Sequence, residues 1–484
     1  MKLSIKSSIL IILAIFTLTF SIYGNCKGNC KGGCKDNNII GAWEGILDVS
    51  GTKLRLVFNI NKDSSGNFIS TMDSPDQGAI GIKVDSAILD NDKIILKIIS
   101  INGTYEGNIC KEKKSIEGMW KQGNHSFPLN LKKTEKKITF KRPQEPKKPY
   151  PYIDENVSFE NKSAGITLAG TLTLPTSGKP FPAVILITGS GPQDRDETVF
   201  NHRPFLILAD YLSRKGIAVL RFDDRGVGKS TGDFSKATSP EFATDVVSGI
   251  EYLKGRKDID SHKIGLLGHS EGGLIAPMIA AKNKDVAFIV LMAGPGLPGD
   301  EILDLQSRLI AKVSGVSEKD IEESMTINNK IYTVIKTEND SVKACNDIKT
   351  ILNTYINELN DKEKKEIGDK DKFIEKQIAT ITSPWFRYFV KYDPRPALIK
   401  VKCPVLAING EMDLQVSPKE NLKAIKNALK EGKNSDFTIK ELKNLNHLFQ
   451  TAKTGSPSEY INIEETISPV ALKIIGDWIV KRVR

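Results

Sequence analysis

Between the apolar run Ile264-Gly265-Leu266-Leu267 and a helical stretch over 274–282, the chain reads Gly268-His269-Ser270-Glu271-Gly272. A G-x-S-x-G turn in that setting constrains the fold tightly. It requires a buried strand, a sharp turn and a helix in immediate succession, with the serine held above the sheet. The flanking glycines leave room for strand and helix backbones to approach closely. The surrounding sequence agrees. Continuous apolar strands are expected at 182–187, 217–222, 263–267, 288–292 and 405–408, with an amphipathic helix at 203–215 between the first two. Apolar strands that alternate with helices imply a parallel sheet covered on both faces.

This α/β pattern does not fill all 484 residues. Residues 38–135 are read as an all-β domain, a small antiparallel barrel or sandwich, from β-branched runs separated by turn signals such as Ser65-Gly66-Asn67 and Asn102-Gly103. Residues 136–156 read as a basic, proline-rich linker, extended and self-repelling. The α/β core is expected over 157–299 and 396–484. Residues 300–395 between its two parts are rich in lysine and glutamate and helical in period, and read as an inserted cap.

A serine is a weak nucleophile at its own pKa and needs a base that is itself oriented by an acid. The chain has five histidines, so elimination is effective. His125 lies in the all-β domain and reads as a surface residue. His262 precedes the elbow strand, and His202 sits in the loop after the first core strand. His269 is adjacent to Ser270 in sequence and badly placed to meet its Oγ. His447 remains as general base. The acid should follow the strand at 405–408, where Glu411 and Asp413 both stand; Asp413 is favoured. The order Ser270, Asp413, His447 then matches a known arrangement of the triad. For the oxyanion hole, the Glu271 N–H is one expected donor. The loop Thr188-Gly189-Ser190-Gly191-Pro192 should supply the other, through Ser190 first and Gly191 second.

Three segments carry a resemblance: Thr188-Gly189-Ser190-Gly191-Pro192-Gln193-Asp194-Arg195-Asp196, Phe222-Asp223-Asp224-Arg225-Gly226-Val227-Gly228-Lys229-Ser230, and the elbow itself. Together they resemble the α/β-hydrolase superfamily, and within it the esterase-D-like bacterial carboxylesterases, near the serine aminopeptidases and prolyl-oligopeptidase-like hydrolases. Gly410-Glu411-Met412-Asp413 and Asn446-His447-Leu448-Phe449-Gln450 are similar to the acid and base motifs of that branch. Gly41-Ala42-Trp43-Glu44-Gly45 and Asp73-Ser74-Pro75-Asp76-Gln77-Gly78 resemble its N-terminal module. The resemblance implies ester hydrolysis through an acyl-enzyme and does not fix the substrate; a small carboxylic ester of short acyl chain is expected. It implies no cofactor and no metal. An aminopeptidase, or another amide or thioester hydrolase with the same triad, is the alternative. From the cap, Trp385, Phe386, Tyr388 and Phe389 are candidate pocket residues, although packing within the cap explains them about as well. A third reading makes the all-β domain a ligand- or surface-binding module, its Trp43 and Trp120 lining a small apolar cavity or simply filling the core.

The N-terminus reads as an address. Lys2 and Lys6 precede an apolar run over 9–20, which has the length of a signal peptide and is short for a membrane span. Residues 1–24 are taken as that signal, with export to the periplasm, cell surface or medium expected. Cys26 is a candidate lipidation site, hence a membrane tether, and residues 25–37 a flexible cysteine-, glycine- and lysine-rich spacer rather than a metal site. The net charge of +10 invites a nucleic-acid reading. Its distribution argues against one. The leader carries +2, the spacer +2 and residues 132–148 carry +6, leaving the rest of the chain balanced. Without aromatic stacking platforms, no nucleic-acid partner is expected.

Overall fold

The computed structural model describes residues 39–49, 52–63, 65–77, 79–110, 114–123, 125–135, 141–367 and 369–483. The leader, Cys26 and the spacer lie outside the described residues. The chain divides into two compact units, one ending at Lys141 and the other beginning at Arg142.

In the first unit, ten antiparallel strands run from Gly41 to Thr134 among the described residues. The strands Ala79–Val84 and Ser86–Asp90 are the two ends of the sheet order, yet only Asp85 separates them. One residue spans about 3.5 Å, so the sheet must roll until its edges meet. That is the barrel-like solution expected for short, closely spaced strands. Alternation along the strands sends one set of side chains inward. Phe58, Tyr105 and Trp120 are almost wholly buried there, with Phe58 stacked on Tyr105 at 5.3 Å between centroids. Trp43 and Trp120 are 3% and 1% exposed and belong to this packed core.

The second unit is built on eight strands: β1 (Ile153–Asn161), β2 (Ile166–Leu174), β3 (Phe181–Ile187), β4 (Ala218–Phe222), β5 (Ile259–His269), β6 (Val286–Met292), β7 (Val405–Gly410) and β8 (Phe437–Leu442). They lie in the order β1-β2-β4-β3-β5-β6-β7-β8. The pairs β1–β2 and β2–β4 are antiparallel, and β3–β4 and every pair from β3–β5 to β7–β8 is parallel. This is the α/β-hydrolase fold. Because side chains alternate, β3 feeds both faces. Ala183, Ile185 and Ile187 pack on one face with α2 (Ser239–Lys254), α3 (Glu271–Ala280) and α11 (Pro418–Glu431). Val184 and Leu186 pack on the other with α1 (Pro204–Ser213) and α12 (Pro469–Val483). Each fully buried aliphatic side chain contributes about 1.5–3 kcal/mol, so the two faces supply the rigidity on which loop geometry depends.

Between β6 and β7 the chain leaves the sheet for the expected cap. Its helices are α4 (Gly299–Val313), α5 (Glu318–Thr337), α6 (Ser341–Glu358), α7 (Asp361–Ile367), α8 (Lys370–Ile381) and α9 (Pro384–Lys391); α10 (Arg395–Lys400) leads back to β7.

The proposed linker needs correction at both ends of its described part. Residues 153–156 already belong to β1, paired with Leu174 to Thr171 of β2. Residues 142–145 are docked on the second unit rather than extended away from charge. The Arg142 guanidinium donates to the carbonyls of Phe200, Asn201, Ile461 and Ile463. Gln144 exchanges hydrogen bonds with Thr466 and Ile467, and Glu145 pairs with Arg203. Counting charges could not show this, because a guanidinium is satisfied by carbonyl oxygens that carry no formal charge.

Candidate active site

The elbow forms as its sequence requires. β5 ends at His269, and Ser270 stands at the head of α3 with φ 52° and ψ −117°, a conformation that side chains rarely adopt. A Cβ at Gly268 would lie 2.0 Å from the Gly272 carbonyl oxygen, and one at Gly272 would lie 2.1 Å from that of Ile187. No other residue fits either position without moving backbone. The Ser270 N–H is tied to the Met292 carbonyl at 2.9 Å, which fixes the turn against β6.

His447 and Asp413 come together. His447 Nδ1 is 2.8 Å from Asp413 Oδ2, and the two residues are 4% and 2% exposed. The other carboxylate oxygen, Oδ1, accepts the N–H groups of Gln415 and Val416 at 2.8 and 2.9 Å. Asp413 is therefore held on both sides, and its pairing leaves Nε2 of the imidazole for proton transfer. Glu411, the weaker candidate, is exposed and accepts from the Asn444 N–H. The turn that carries His447 is closed by Asn446 and Gln450, both fully buried. Asn446 accepts from the N–H groups of Leu448 and Gln450, and its own amide donates to Gln450 Oε1.

The loop after β3 lies against the nucleophile, since a Cβ at Gly189 would come within 3.3 Å of Ser270 Cβ. Ser190 and Gly191 continue this loop, Gly191 with φ 94°. Glu271, whose N–H heads α3, buries its side chain completely. The carboxylate accepts from Ser239 Oγ at 2.5 Å and from Trp385 Nε1 at 2.8 and 2.9 Å. Burial raises its pKa above the usual carboxylate range, and these donors work against that rise. Trp385 thus reaches from cap helix α9 onto the elbow. Tyr388 is half-buried, and its phenol is pushed up to about 12 by burial and by Glu241 and Glu271. Phe386 and Phe389 are buried, 4% and 6% exposed, with Phe389 stacked on Trp385.

A cavity beside the elbow is lined by Ile187, Phe222, Phe234, Phe242 and Ile275, and by Gly189 and Glu271 next to the nucleophile. Asp224 and Asp245 complete the wall. Both have raised pKa values through burial, Asp224 well above the ordinary range. Each is committed to partners within the chain: Asp224 to Thr188 Oγ1 and the Gln193 N–H, Asp245 to Arg225 and Asn161.

Elimination set aside two histidines that the structure places in the site. His202 is 1% exposed, with Nδ1 on Thr466 and Nε2 within reach of the Tyr460 carbonyl and Gln450. Burial, with Arg142 nearby, pushes its pKa down to about 4. His269 cannot serve as base, as expected, but its ring lies 4.8 Å from that of His447 and its Nδ1 is 2.9 Å from Glu197. Glu197 had no sequence signal beyond its closeness to the glycine loop. His125 and His262 are exposed.

Among known proteins, the chain is similar to esterase EstD of Thermotoga maritima, 28% identical over 68% of this chain and 69% of that one. It is also similar to human dipeptidyl peptidase 8, 30% identical over 29% of this chain and 16% of that protein. Among solved structures, a Pyrococcus furiosus esterase, Pf2001, aligns with 60% of this chain and 82% of its own at 17% identity and a TM-score of 0.38. The chain is a hydrolase of the α/β-hydrolase superfamily. The family model for the X-Pro dipeptidyl-peptidases matches residues 164–447, from β1–β2 through the elbow to His447, and with more than half its length so matched the chain belongs to that S15 family.

Proposed function

We propose that the protein is a serine carboxylesterase in which Ser270 is the nucleophile, His447 the general base and acid, and Asp413 the residue that orients the imidazole. The observation that carries this reading is the buried His447–Asp413 pair, its carboxylate fixed by two backbone N–H groups, beside a serine held at φ 52°. Ser270 Oγ attacks the acyl carbonyl as His447 takes its proton. The alcohol leaves with that proton, and water, activated by the same imidazole, releases the acid. The N–H of Glu271, with that of Ser190 or Gly191, stabilises the oxyanion.

The apolar walls given by Ile187, Phe222, Phe234 and Phe242 suit a short acyl chain. An aminopeptidase needs carboxylate oxygens available to a substrate ammonium. The carboxyls of this cavity have partners of their own, which favours the ester. The likeness to an esterase over two thirds of both chains supports the same side, while the match of the X-Pro dipeptidyl-peptidase family model over residues 164–447 makes a peptidase the reading to test against it. Export, with Cys26 as a lipid anchor, belongs to the same reading, supported by the basic and apolar leader. The test compares p-nitrophenyl butyrate with an X-Pro p-nitroanilide. Wild type should turn over the ester preferentially, and Ser270→Ala should abolish turnover and fluorophosphonate labelling. Preferred cleavage of the anilide would overturn the esterase assignment, and unchanged activity in Ser270→Ala would overturn the nucleophile.

A further inference from the structure

Three segments far apart in sequence must be held in register for the proposed chemistry: the glycine loop at 188–191, the elbow at 268–271 and the base turn at 445–450. One buried carboxylate connects all three. Glu197 is 3% exposed, and its Oε1 accepts the Gly189 N–H at 2.7 Å and meets His269 Nδ1 at 2.9 Å. His269 in turn places Nε2 3.0 Å from the backbone carbonyl of His447. Both ring nitrogens of His269 therefore face acceptors. A neutral imidazole has a single N–H and can satisfy only one of them. Two protons must lie across the Glu197–His269–carbonyl chain; with Oε1 already accepting the Gly189 N–H, the ionised carboxylate is the acceptor at Nδ1, and His269 acts as a two-ended donor, a strut rather than a base.

The backbone around Glu197 supports this. Glu197 has φ 52°, and Phe200 and Asn201 follow at φ 50° and 59°. Left-handed conformations at residues other than glycine are costly and persist where the surroundings over-determine them. Here they are over-determined. Val199 and His202 bridge one another, Arg142 binds the carbonyls of Phe200 and Asn201, and His202 is anchored on Thr466. The strained loop turns the Glu197 carboxylate inward, between the glycine loop and the elbow.

We infer that Glu197, acting through His269, is a positioning residue that fixes the oxyanion loop and the His447 turn to the nucleophile elbow. The inference rests on the Ser270–His447–Asp413 reading.

The test uses the full chain with Glu197→Gln, His269→Gln and the double variant, each titrated with a fluorophosphonate so that rates refer to active sites. Misplacement by a fraction of an ångström to an ångström predicts a fall in kcat of about tenfold to a hundredfold, with KM changed by less than about twofold. The double variant should be no slower than the worse single one, because both changes break one strut. In Glu197→Gln and in the double variant the acid limb of the kcat/KM profile should stay in place, since the pair has no net charge before or after those changes, whereas His269→Gln leaves the Glu197 carboxylate uncompensated and should move that limb upward. A kcat per titrated site within about twofold of wild type, losses that multiply in the double variant, or an acid limb that moves by a unit in Glu197→Gln would each overturn the inference. If Glu197→Gln fails to fold, His269→Gln carries the kcat and KM test. Ser270→Ala run in parallel separates the two readings. If it retains activity, the triad fails; if it is inactive while the strut variants match wild type, only the strut fails.

Discussion

Two imidazole–carboxylate pairs lie side by side in this molecule and differ in what surrounds them. In His447–Asp413 the carboxylate takes its remaining hydrogen bonds from backbone N–H groups of its own turn, and the far ring nitrogen is left for chemistry. In His269–Glu197 the carboxylate takes its second hydrogen bond from Gly189, eight residues earlier in the same β3–α1 connection, and the far ring nitrogen is spent on a carbonyl. In the proposed mechanism the same two functional groups give a base in one place and a brace in the other. What distinguishes them in that proposal is whether the second nitrogen is taken up by a backbone carbonyl, as in His269, or left to the nucleophile. Proximity to the nucleophile in sequence is misleading here. His269, the neighbour of Ser270, is the proposed brace, and His447, distant by 177 residues, is the proposed base.

This contrast can be broken most forcefully at Asp413. Asp413→Asn should lower kcat by about 10⁴-fold, because the amide cannot hold the tautomer in which Nε2 accepts a proton. Burst kinetics on an activated ester would measure it, and a loss as small as that expected for Glu197→Gln would erase the distinction between the pairs.

Next comes the response to pH, in which two of the buried histidines should oppose each other. His202 has a folded pKa near 4, below its unfolded value of about 6.5. The unfolded chain therefore binds the proton more tightly. Stability is full above pH ~6.5 and is lost as pH falls toward 4, by about 3 kcal/mol in all. Urea denaturation across that window should show the loss, and His202→Gln should flatten it. For His269, burial lowers the pKa, but the charge and hydrogen bond of Glu197 outweigh it and the net shift is upward. Its contribution is complete below the unfolded value and fades as pH rises through the folded one. His269→Gln should accordingly cost more stability at pH 6 than at pH 9. A cost that grows with pH would contradict a protonated brace.

The smallest effect is expected at the contact between cap and elbow. Trp385→Phe keeps the aromatic packing on Phe389 and removes the indole N–H from buried Glu271. Loss of one donor to a buried carboxylate predicts a destabilisation of about 1–3 kcal/mol. A denaturation midpoint equal to wild type would show that Ser239 alone satisfies Glu271.

Much of this arrangement was legible because it is written locally. The apolar runs that became β3 to β7, the helical period of the cap, and the serine between two glycines all follow from short-range patterns. Even the pairing of Asp413 with His447 could be reached, since the fold fixes where the turns after those strands fall. The strut was not legible. Glu197 and Gly189 are joined through a strained loop whose path no periodicity encodes, and His269 was judged only on whether it could reach Oγ. Arg142 was counted as part of a repelling run, although its guanidinium is satisfied by four carbonyls. The beginning of β1 was hidden for a similar reason. Ile153 to Asn156 hold one apolar residue followed by three polar ones, which shows no strand period beside the proline-rich stretch before them, and their strand is defined by its partner β2.

The cap leaves the sheet after β6 and rejoins it at β7, and these two strands are hydrogen-bonded neighbours. Such an insertion is a cassette. Recombination could exchange residues 300–395 for another sequence, and no catalytic group would change its strand. Lineages could thereby diverge in substrate while keeping one reaction centre. The exchange would carry a single chemical obligation. Glu271, buried at the elbow, takes a hydrogen bond from Trp385, so each incoming cap would have to bring a donor to that carboxylate or arrive with its glutamate replaced.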